Sequence, residues 1–138
     1  MSSVRKKDQT PHRFETCDKA LKLYDHTTNL TANQKVFDRT YQSLIDRIDN
    51  EASMIYHLCR VANEELDARK NDEAKVRVEL QQEALQHCLW LKTDIILAQR
   101  KFKFRAKKAI YWNGLVNDTM KLIKSWNDSE KKNLGCRL

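Results

Sequence analysis

Glycine and proline are almost absent from this chain, whose 138 residues include two glycines and one proline. Tight β-hairpin turns, glycine-rich phosphate loops and nucleophile elbows all need these residues at fixed positions. The chain offers only Pro11, Gly114 and Gly135, so most common enzyme architectures are excluded. Its length fits one domain that can fold without a disulfide or a metal ion.

Long apolar runs are also lacking. The longest uninterrupted aliphatic stretch runs from Ile95 to Ala98, whereas a membrane-spanning helix needs about 20 apolar residues. The first residues are polar and basic, without the apolar core of a signal peptide. The four cysteines form no CxxC pattern, and three of them fall in apolar helical rows. We therefore expect a soluble cytoplasmic protein with no membrane partner, no metal and no cofactor.

Apolar residues recur at helical spacing in four segments of the chain. Their steps of three and four residues are typical of long helices that pack nearly parallel or antiparallel. The first row consists of Phe14, Cys17, Leu21 and Tyr24. The other three run from Tyr41 to Leu66, from Leu80 to Phe102 and from Ala109 to Trp126.

These rows predict an all-α fold, an antiparallel up-down-up-down four-helix bundle. The bundle is expected over residues 14–132, between a flexible basic arm at residues 1–13 and a C-terminal tail at residues 133–138.

Capping signals predict where the helices join. Thr31 followed by Gln34 matches a capping box, in which each side chain satisfies a free backbone N–H, so helix 2 is predicted to begin there. Opposite charges on the two sides of residue 70 predict one turn between helices 2 and 3. A turn at Lys103 to Ala106 would separate helices 3 and 4, with a single longer helix as the alternative.

Charge is unevenly distributed along the chain. Residues 1–13 carry four basic and one acidic group, residues 14–99 carry 11 and 15, and residues 100–138 carry 11 and 3. The overall net charge of +7 therefore belongs to the N-terminal arm and the last third of the protein.

The run RKFKFRAKK at residues 100–108 has six basic residues among nine, with Phe102 and Phe104 interleaved. Clustered Lys and Arg displace counterions from phosphates, and aromatic rings can stack on unpaired bases. Alternatively, the cations complement a helix dipole while the phenylalanines fill the core. Charge density and net charge together favour nucleic-acid contact.

An enzymatic function has little support in the sequence. Glu79, Glu83 and His87 share one helical face, but no second pair of metal-ligating residues exists, and a solvated polar face is the favoured interpretation. No Ser, His and acid arrangement is recognisable. We therefore predict a non-catalytic binding protein.

Aromatic and aliphatic residues outside the main rows suggest further contacts. Core packing accounts for Trp90, Trp112 and Trp126, whereas Tyr111 is expected at the surface. Several aliphatic residues widen the apolar stripes of helices 3 and 4, which indicates either deep burial or a subunit interface and favours a homo-oligomer. These residues are Leu85, Leu89 and Ile96 on helix 3, and Leu115 and Leu122 on helix 4.

The overall pattern resembles a family of small basic four-helix bundles. This family contains the accessory variability protein of diversity-generating retroelements and the proteins encoded by intervening sequences of bacterial 23S ribosomal RNA. The resemblance covers residues 14–132, and its last helix ends in a tryptophan after an aliphatic pair, here Leu122, Ile123 and Trp126. The segments that carry it are KALKLYDHTTNLTANQKVFDRTYQSLIDRIDNEASMIYHL, RVELQQEALQHCLWLKTDIILAQRKF and YWNGLVNDTMKLIKSWND.

The resemblance implies a bacterial or phage-encoded protein that forms a homopentamer with basic surfaces. Such a protein associates with the reverse transcriptase of the retroelement and its template RNA, and supports mutagenic cDNA synthesis. Charge assigns the residues that would bind RNA or cDNA: Arg100, Lys101, Lys103, Arg105, Lys107, Lys108, Lys121 and Lys124.

Two other interpretations remain open. The turn NEELDARKND lacks a glycine that is frequent in the ribosomal branch of the family, which favours the retroelement branch, but a ribosomal intervening-sequence protein is an alternative. The second alternative is an oligomeric scaffold that binds only proteins, through the apolar faces of helices 3 and 4. Salt-sensitive affinity for RNA or DNA would separate the scaffold from the nucleic-acid-binding protein.

Overall fold

The computed structural model describes the backbone of residues 11–137 and the side chains of residues 15–136. Most of the predicted basic arm, residues 1–10, lies outside the described residues. Four helices account for nearly all of the described chain: α1 Pro11–Thr31, α2 Gln42–Glu64, α3 Asn71–Phe102 and α4 Ala106–Arg137.

The four helices form a bundle in which α1 and α3 each pack against both α2 and α4. Across α1 and α2, Cys17 contacts Cys59 at one end while Thr31 bonds Asp49 at the other, so the two helices run in opposite directions. The chain also reverses between α2 and α3, since Arg47 near the start of α2 bonds Asp94 near the end of α3. It reverses again between α3 and α4, since Arg77 near the start of α3 bonds Glu130 near the end of α4. The predicted all-α four-helix bundle is confirmed.

The predicted apolar rows line the core. Every member of the row from Ala109 to Trp126 on α4 is buried. Of the predicted row from Tyr41 to Leu66, the members from Ile45 to Ala62 are buried, but Tyr41 is 38% exposed and Leu66 is half-buried beyond the end of α2. Burial of apolar surface contributes roughly 25 cal/mol per Å² to folding, so these two faces supply much of the stability of the bundle.

The predicted row on α1 is correct for Cys17 and Tyr24, which contact the core, and wrong for Leu21. Leu21 is 40% exposed, whereas Ala20 and Leu23 are fully buried, and the side chain of Phe14 lies outside the described residues. The buried face of α1 also contains threonines, including Thr16 and Thr27. A search for apolar residues at helical spacing misses such a face. Threonine carries a polar hydroxyl, but it can be buried when that hydroxyl makes a hydrogen bond inside the core.

The predicted start of helix 2 is also wrong. Thr31 is the last residue of α1, and α2 begins at Gln42 after an irregular segment that ends in a short 3₁₀ turn. The Thr31 hydroxyl donates to Asp49 Oδ1 at 2.7 Å rather than capping a helix. Asp38 caps the 3₁₀ turn instead, since its carboxylate accepts from the Thr40 N–H.

The other two predicted joints are confirmed. Residues 65–70 connect α2 to α3, and residues 103–105 connect α3 to α4, which excludes a single longer helix. At the C-terminus, α4 continues into the segment 133–138 expected as a tail, where Leu134 packs against Ala74 and Val78. None of the helices within residues 11–137 combines the length and the apolar character needed to cross a bilayer.

Candidate nucleic-acid interface

The antiparallel arrangement brings two irregular segments to the same end of the bundle. Phe37, from the connection between α1 and α2, contacts Phe102 beside the turn between α3 and α4, with ring centroids 4.7 Å apart. We call this end, comprising residues 32–41 and 100–108, the basic end. Six of the predicted nucleic-acid-binding residues are exposed here: Arg100, Lys101, Lys103, Arg105, Lys107 and Lys108.

The six predicted cations of the basic end form no ion pairs with the described carboxylates. None of the six pairs with a carboxylate among the described side chains, whereas Arg47 bonds Asp94 at 2.8 Å further along the bundle. Lys101 lies over the ring of Tyr41, 5.5 Å from its centroid. Asp38 is also exposed at this end, and hydrogen bonds from Thr40 lower its pKa, so it contributes one negative charge there. One carboxylate does not balance the six cations, and the cluster presents an excess of positive charge to the solvent.

The backbone at Lys103 gives the turn its shape. This residue ends α3 in the left-handed conformation, with φ of 55°, and its N–H donates to the Gln99 carbonyl at 2.9 Å. Glycine is the usual residue at such a position because a Cβ is disfavoured there. A cation thus occupies a strained position at the tip of the turn.

Phe102 and Phe104, on either side of Lys103, both turn towards the core. Their rings lie 4.7 and 5.6 Å from the buried ring of Phe37, and Phe104 also approaches Trp112 at 6.1 Å. The contacts therefore favour the interpretation that these phenylalanines fill the end of the core. Each ring nevertheless remains partly exposed.

A surface groove opens beside these rings, with a volume of about 430 Å³. It brings in Lys35, a cation that the sequence analysis missed. Lys35 has only Asp38 and Arg39 as charged neighbours in its segment and belongs to no basic cluster in the sequence, so only the folded chain reveals its position opposite the turn. The groove is lined by Lys35, Val36, Phe102, Lys103, Phe104, Arg105 and Lys108.

The remaining two predicted residues, Lys121 and Lys124, lie elsewhere. Both are exposed on α4, but they follow Lys108 by 13 and 16 residues, which at 1.5 Å per residue is about 20 and 24 Å along the helix. The structure thus separates them from the basic end.

Another aromatic side chain lies close to the cluster on α4. Tyr111 is 52% exposed, as expected, and its ring meets that of His26 on α1 edge to face at 4.9 Å. Burial lowers the pKa of His26, and the charge of Lys22 adds to this effect. The imidazole is therefore neutral at pH 7 and adds no charge to the surface.

The opposite end of the bundle, next to residues 65–70, contains a buried polar network. The fully buried Arg77 guanidinium pairs with Glu130 and donates to the carbonyls of Ala62 and Leu66 at the end of α2. Glu130 also accepts from the Gln81 amide at 3.1 Å and from the Trp126 indole at 2.9 Å. These bonds join α2, α3 and α4.

His87 is not on a solvated face, so the favoured interpretation of the row Glu79, Glu83 and His87 is wrong for this residue. His87 is buried and its Nδ1 bonds the buried carboxylate of Glu51 on α2, while Glu79 and Glu83 are exposed. Spacing along one helix cannot reveal a partner that another helix supplies.

The cysteines behave largely as small core residues. Cys17, Cys59 and Cys88 are buried, as expected from their apolar rows, and Cys136 is exposed. Burial raises the pKa of the Cys17 thiol to about 11 and that of Cys88 to about 12, so these thiols are protonated at neutral pH and poor nucleophiles. Across residues 15–136, no three His, Cys, Asp or Glu side chains are grouped so that they could hold a metal ion.

The outer face of α3 exposes large apolar side chains. The core position predicted for Trp90 is wrong, since its side chain is 49% exposed, whereas Trp112 and Trp126 are buried as predicted. Trp90 lies one position beside the core row, and its ring edge contacts His87 at 5.2 Å. We call the exposed group the α3 apolar face: Leu89, Trp90, Ile96 and Leu97.

Comparisons of the chain with known protein families, with curated proteins and with solved structures give no match. The resemblance to the retroelement accessory family therefore stays a prediction, and the basic end and the α3 apolar face carry the functional argument.

Proposed function

We propose that this protein is a non-enzymatic, nucleic-acid-binding accessory subunit that holds RNA or cDNA for a reverse transcriptase. One observation carries the proposal: the exposed cations of the basic end have no carboxylate partner among the described residues. Cations that are not paired within the protein are available to phosphates, and binding then releases counterions from the nucleic acid. Phosphate contacts of this kind bind without reading sequence.

The biological setting of the proposal comes from the family resemblance alone. That resemblance supports a diversity-generating retroelement, its template RNA and its reverse transcriptase as partners, and assembly of this chain as a homopentamer. The α3 apolar face supports some form of association, because monomers rarely expose several large apolar side chains together.

The α3 apolar face also favours a second candidate function, an oligomeric scaffold that binds proteins only. In that case the cations of the basic end would serve solubility, and the purified protein would show no salt-dependent affinity for RNA or DNA. A ribosomal intervening-sequence protein remains the alternative within the same family.

Matched charge variants test the proposed function. The first replaces Lys103, Lys107 and Lys108 with Gln, and the second replaces three exposed lysines far from the basic end, Lys75, Lys131 and Lys132. Both remove three charges. Affinity for a labelled 20-nucleotide RNA is measured by fluorescence anisotropy between 50 and 300 mM salt, with helicity checked by circular dichroism.

The basic-end variant is expected to bind more weakly and to lose about 2 units from the slope of log K against log salt, at about 0.7 per phosphate contact. The distant variant should keep most of the wild-type slope. Equal losses in the two variants would show that binding follows net charge rather than this site, and the absence of salt-dependent binding by the wild type would favour the scaffold.

Light scattering coupled to size-exclusion chromatography tests the assembly. The wild type is expected to have the mass of an oligomer, and of five chains if the family resemblance holds. Replacement of Leu89 and Ile96 with Ser should reduce that mass because it removes apolar surface from the α3 face. A wild-type monomer that carries no nucleic acid would count against both the oligomer and the retroelement setting.

A further inference from the structure

The groove at the basic end differs chemically from the rest of the charged surface. Its lining divides into an apolar part, made by Val36, Phe102 and Phe104, and four cations, Lys35, Lys103, Arg105 and Lys108. No carboxylate is among the lining residues. A surface that only attracts phosphates needs no apolar floor, so the combination indicates a ligand that has an apolar part beside its negative charge.

The apolar floor is fixed before any ligand arrives. The ring of Phe37 is 1% exposed and supports both Phe102 and Phe104 from below. Between them, the left-handed backbone of Lys103 lets both rings turn inwards while the lysine remains exposed. A rigid aromatic floor adds affinity because few rotamers must be ordered on binding.

The cations of the groove come from two segments of the chain. Lys35 belongs to the connection between α1 and α2, while Lys103, Arg105 and Lys108 belong to the turn and the first residues of α4. A ligand in the groove therefore meets positive charge from both segments. The volume of about 430 Å³ lies at the small end of the range for ligand pockets, about 300–1,000 Å³.

We infer that this groove binds one unpaired nucleotide of a single strand, with the base on the floor of Val36, Phe102 and Phe104 and the flanking phosphates on the cations. The inference rests on the proposed function and makes it specific. In a duplex the base faces are covered by their neighbours, whereas unpaired bases are free to stack on aromatic side chains. The site thus selects single-stranded over double-stranded nucleic acid.

Three oligonucleotides test the inference with the wild-type protein: a 12-nucleotide oligothymidylate, a strand of the same length in which every base is replaced by an abasic tetrahydrofuran, and a 12-base-pair duplex. The two single strands carry the same phosphates. The base-containing strand is expected to bind about 5- to 150-fold more tightly than the abasic strand, as loss of one aromatic stacking contact implies. The two single strands should share one salt slope, and the duplex should bind more weakly than the oligothymidylate.

A substitution in the floor of the groove tests whether the preference for bases arises there. In this variant, Phe104→Leu, one ring of the floor is replaced by an aliphatic side chain. It is expected to lower the affinity for oligothymidylate towards that for the abasic strand, without changing the affinity for the abasic strand. The control is Tyr111→Ala, which removes the exposed aromatic ring outside the groove and should leave the preference for bases intact. Circular dichroism reports whether either variant folds, and the comparison of oligonucleotides on the wild type does not depend on them.

The possible failures are distinguishable. Equal salt-dependent binding of the base-containing and abasic strands would overturn the inference and leave the proposed function standing. A preference for bases that vanishes in Tyr111→Ala but persists unchanged in folded Phe104→Leu would also overturn it, since stacking would then occur on α4. If the wild type binds none of the three oligonucleotides with salt dependence, the proposed function fails and the inference fails with it.

Discussion

The two ends of the bundle use arginine in opposite ways. At one end Arg77 is completely buried and bonded to Glu130, to a carbonyl of α2 and to a carbonyl of the connection after it. At the basic end Arg105 is exposed and has no carboxylate partner among the described side chains. The same residue type therefore joins three helices in one place and faces the solvent in the other.

This difference separates a structural role from a binding role. A buried guanidinium must have its partners, because an unpaired buried charge costs several kcal/mol, so Arg77 is committed to the fold. An exposed cation contributes little to stability and keeps its charge for a ligand. Changes at one end should therefore alter stability, and changes at the other should alter binding.

The largest expected effect is the loss of Arg77. Arg77→Ala leaves Glu130 as a buried charge without its cation and removes the donor to the Ala62 and Leu66 carbonyls. We expect the free energy of unfolding in urea to fall by about 3–5 kcal/mol. The matched variant Arg105→Ala should change it by no more than about 0.5 kcal/mol but weaken RNA binding. Comparable destabilisation by the two variants would remove the distinction between the ends.

The sequence reveals the basic end more readily than the buried network. Six cations within residues 100–108 are visible as a local cluster, and local charge needs no knowledge of the fold. Arg77 and Glu130 are 53 positions apart, and nothing in their local sequence distinguishes them from surface residues on a helix. Lys35 was missed for the same reason, since only the packing of two connections places it beside the cluster.

Removal of the hydrogen bond between Thr27 and Trp112 should destabilise the part of the core that supports the basic end. The Trp112 indole donates to Thr27 Oγ1 at 3.0 Å, and both side chains are fully buried. Thr27→Val leaves this indole N–H without its acceptor, and we expect the free energy of unfolding to fall by about 1–3 kcal/mol. Thr27→Ser keeps the hydroxyl and should cost less, so a larger loss in the serine variant would mean that the methyl group matters more than the bond.

The strained backbone of Lys103 gives a smaller effect of opposite sign. Lys103→Gly relieves the left-handed conformation and should raise the free energy of unfolding by about 1 kcal/mol. Lys103→Gln removes the same charge without relieving the backbone, so its stability should stay close to that of the wild type. Both variants should weaken RNA binding equally. Equal stability of the two variants would show that the backbone at this turn is not strained.

The periodicity of apolar residues predicts the positions of the helices more accurately than it predicts which side chains face the solvent. The rows on α2 and α4 are long, so that one misplaced residue does not change the face, whereas the row on α1 is short, and the exposed Leu21 is a large part of it. Trp90 lies beside its row, and its position depends on how far α2 and α4 reach around α3. That reach is a property of packing, which a single helix does not encode.

The smallest expected effects are pH-dependent and differ in sign between two aspartates. In the connection between α2 and α3, the hydrogen bonds and charge of Arg69 lower the pKa of Asp67 to about 2 from the ordinary value of 3.8. The charged form is favoured in the folded state, so this stabilisation is present above pH 4 and is lost as the pH falls through 2. Asp67→Asn should be slightly less stable than the wild type at pH 7, and the difference should be smaller at pH 3.

Asp49, which bonds Thr31 nearer the basic end, should behave in the opposite way. Burial raises its pKa above 3.8, and the hydrogen bond from Thr31 only partly opposes this effect. The charged form is disfavoured in the folded state, so Asp49 weakens the fold at neutral pH and ceases to do so as the pH falls through its raised pKa towards 3.8. Asp49→Asn keeps an acceptor for the Thr31 hydroxyl and should be more stable than the wild type at pH 7 but not at pH 3. Urea unfolding of both variants at pH 7 and pH 3 provides the measurement. If Asp49→Asn is destabilising at pH 7, the hydrogen bond from Thr31 outweighs burial, and the two aspartates do not differ in sign.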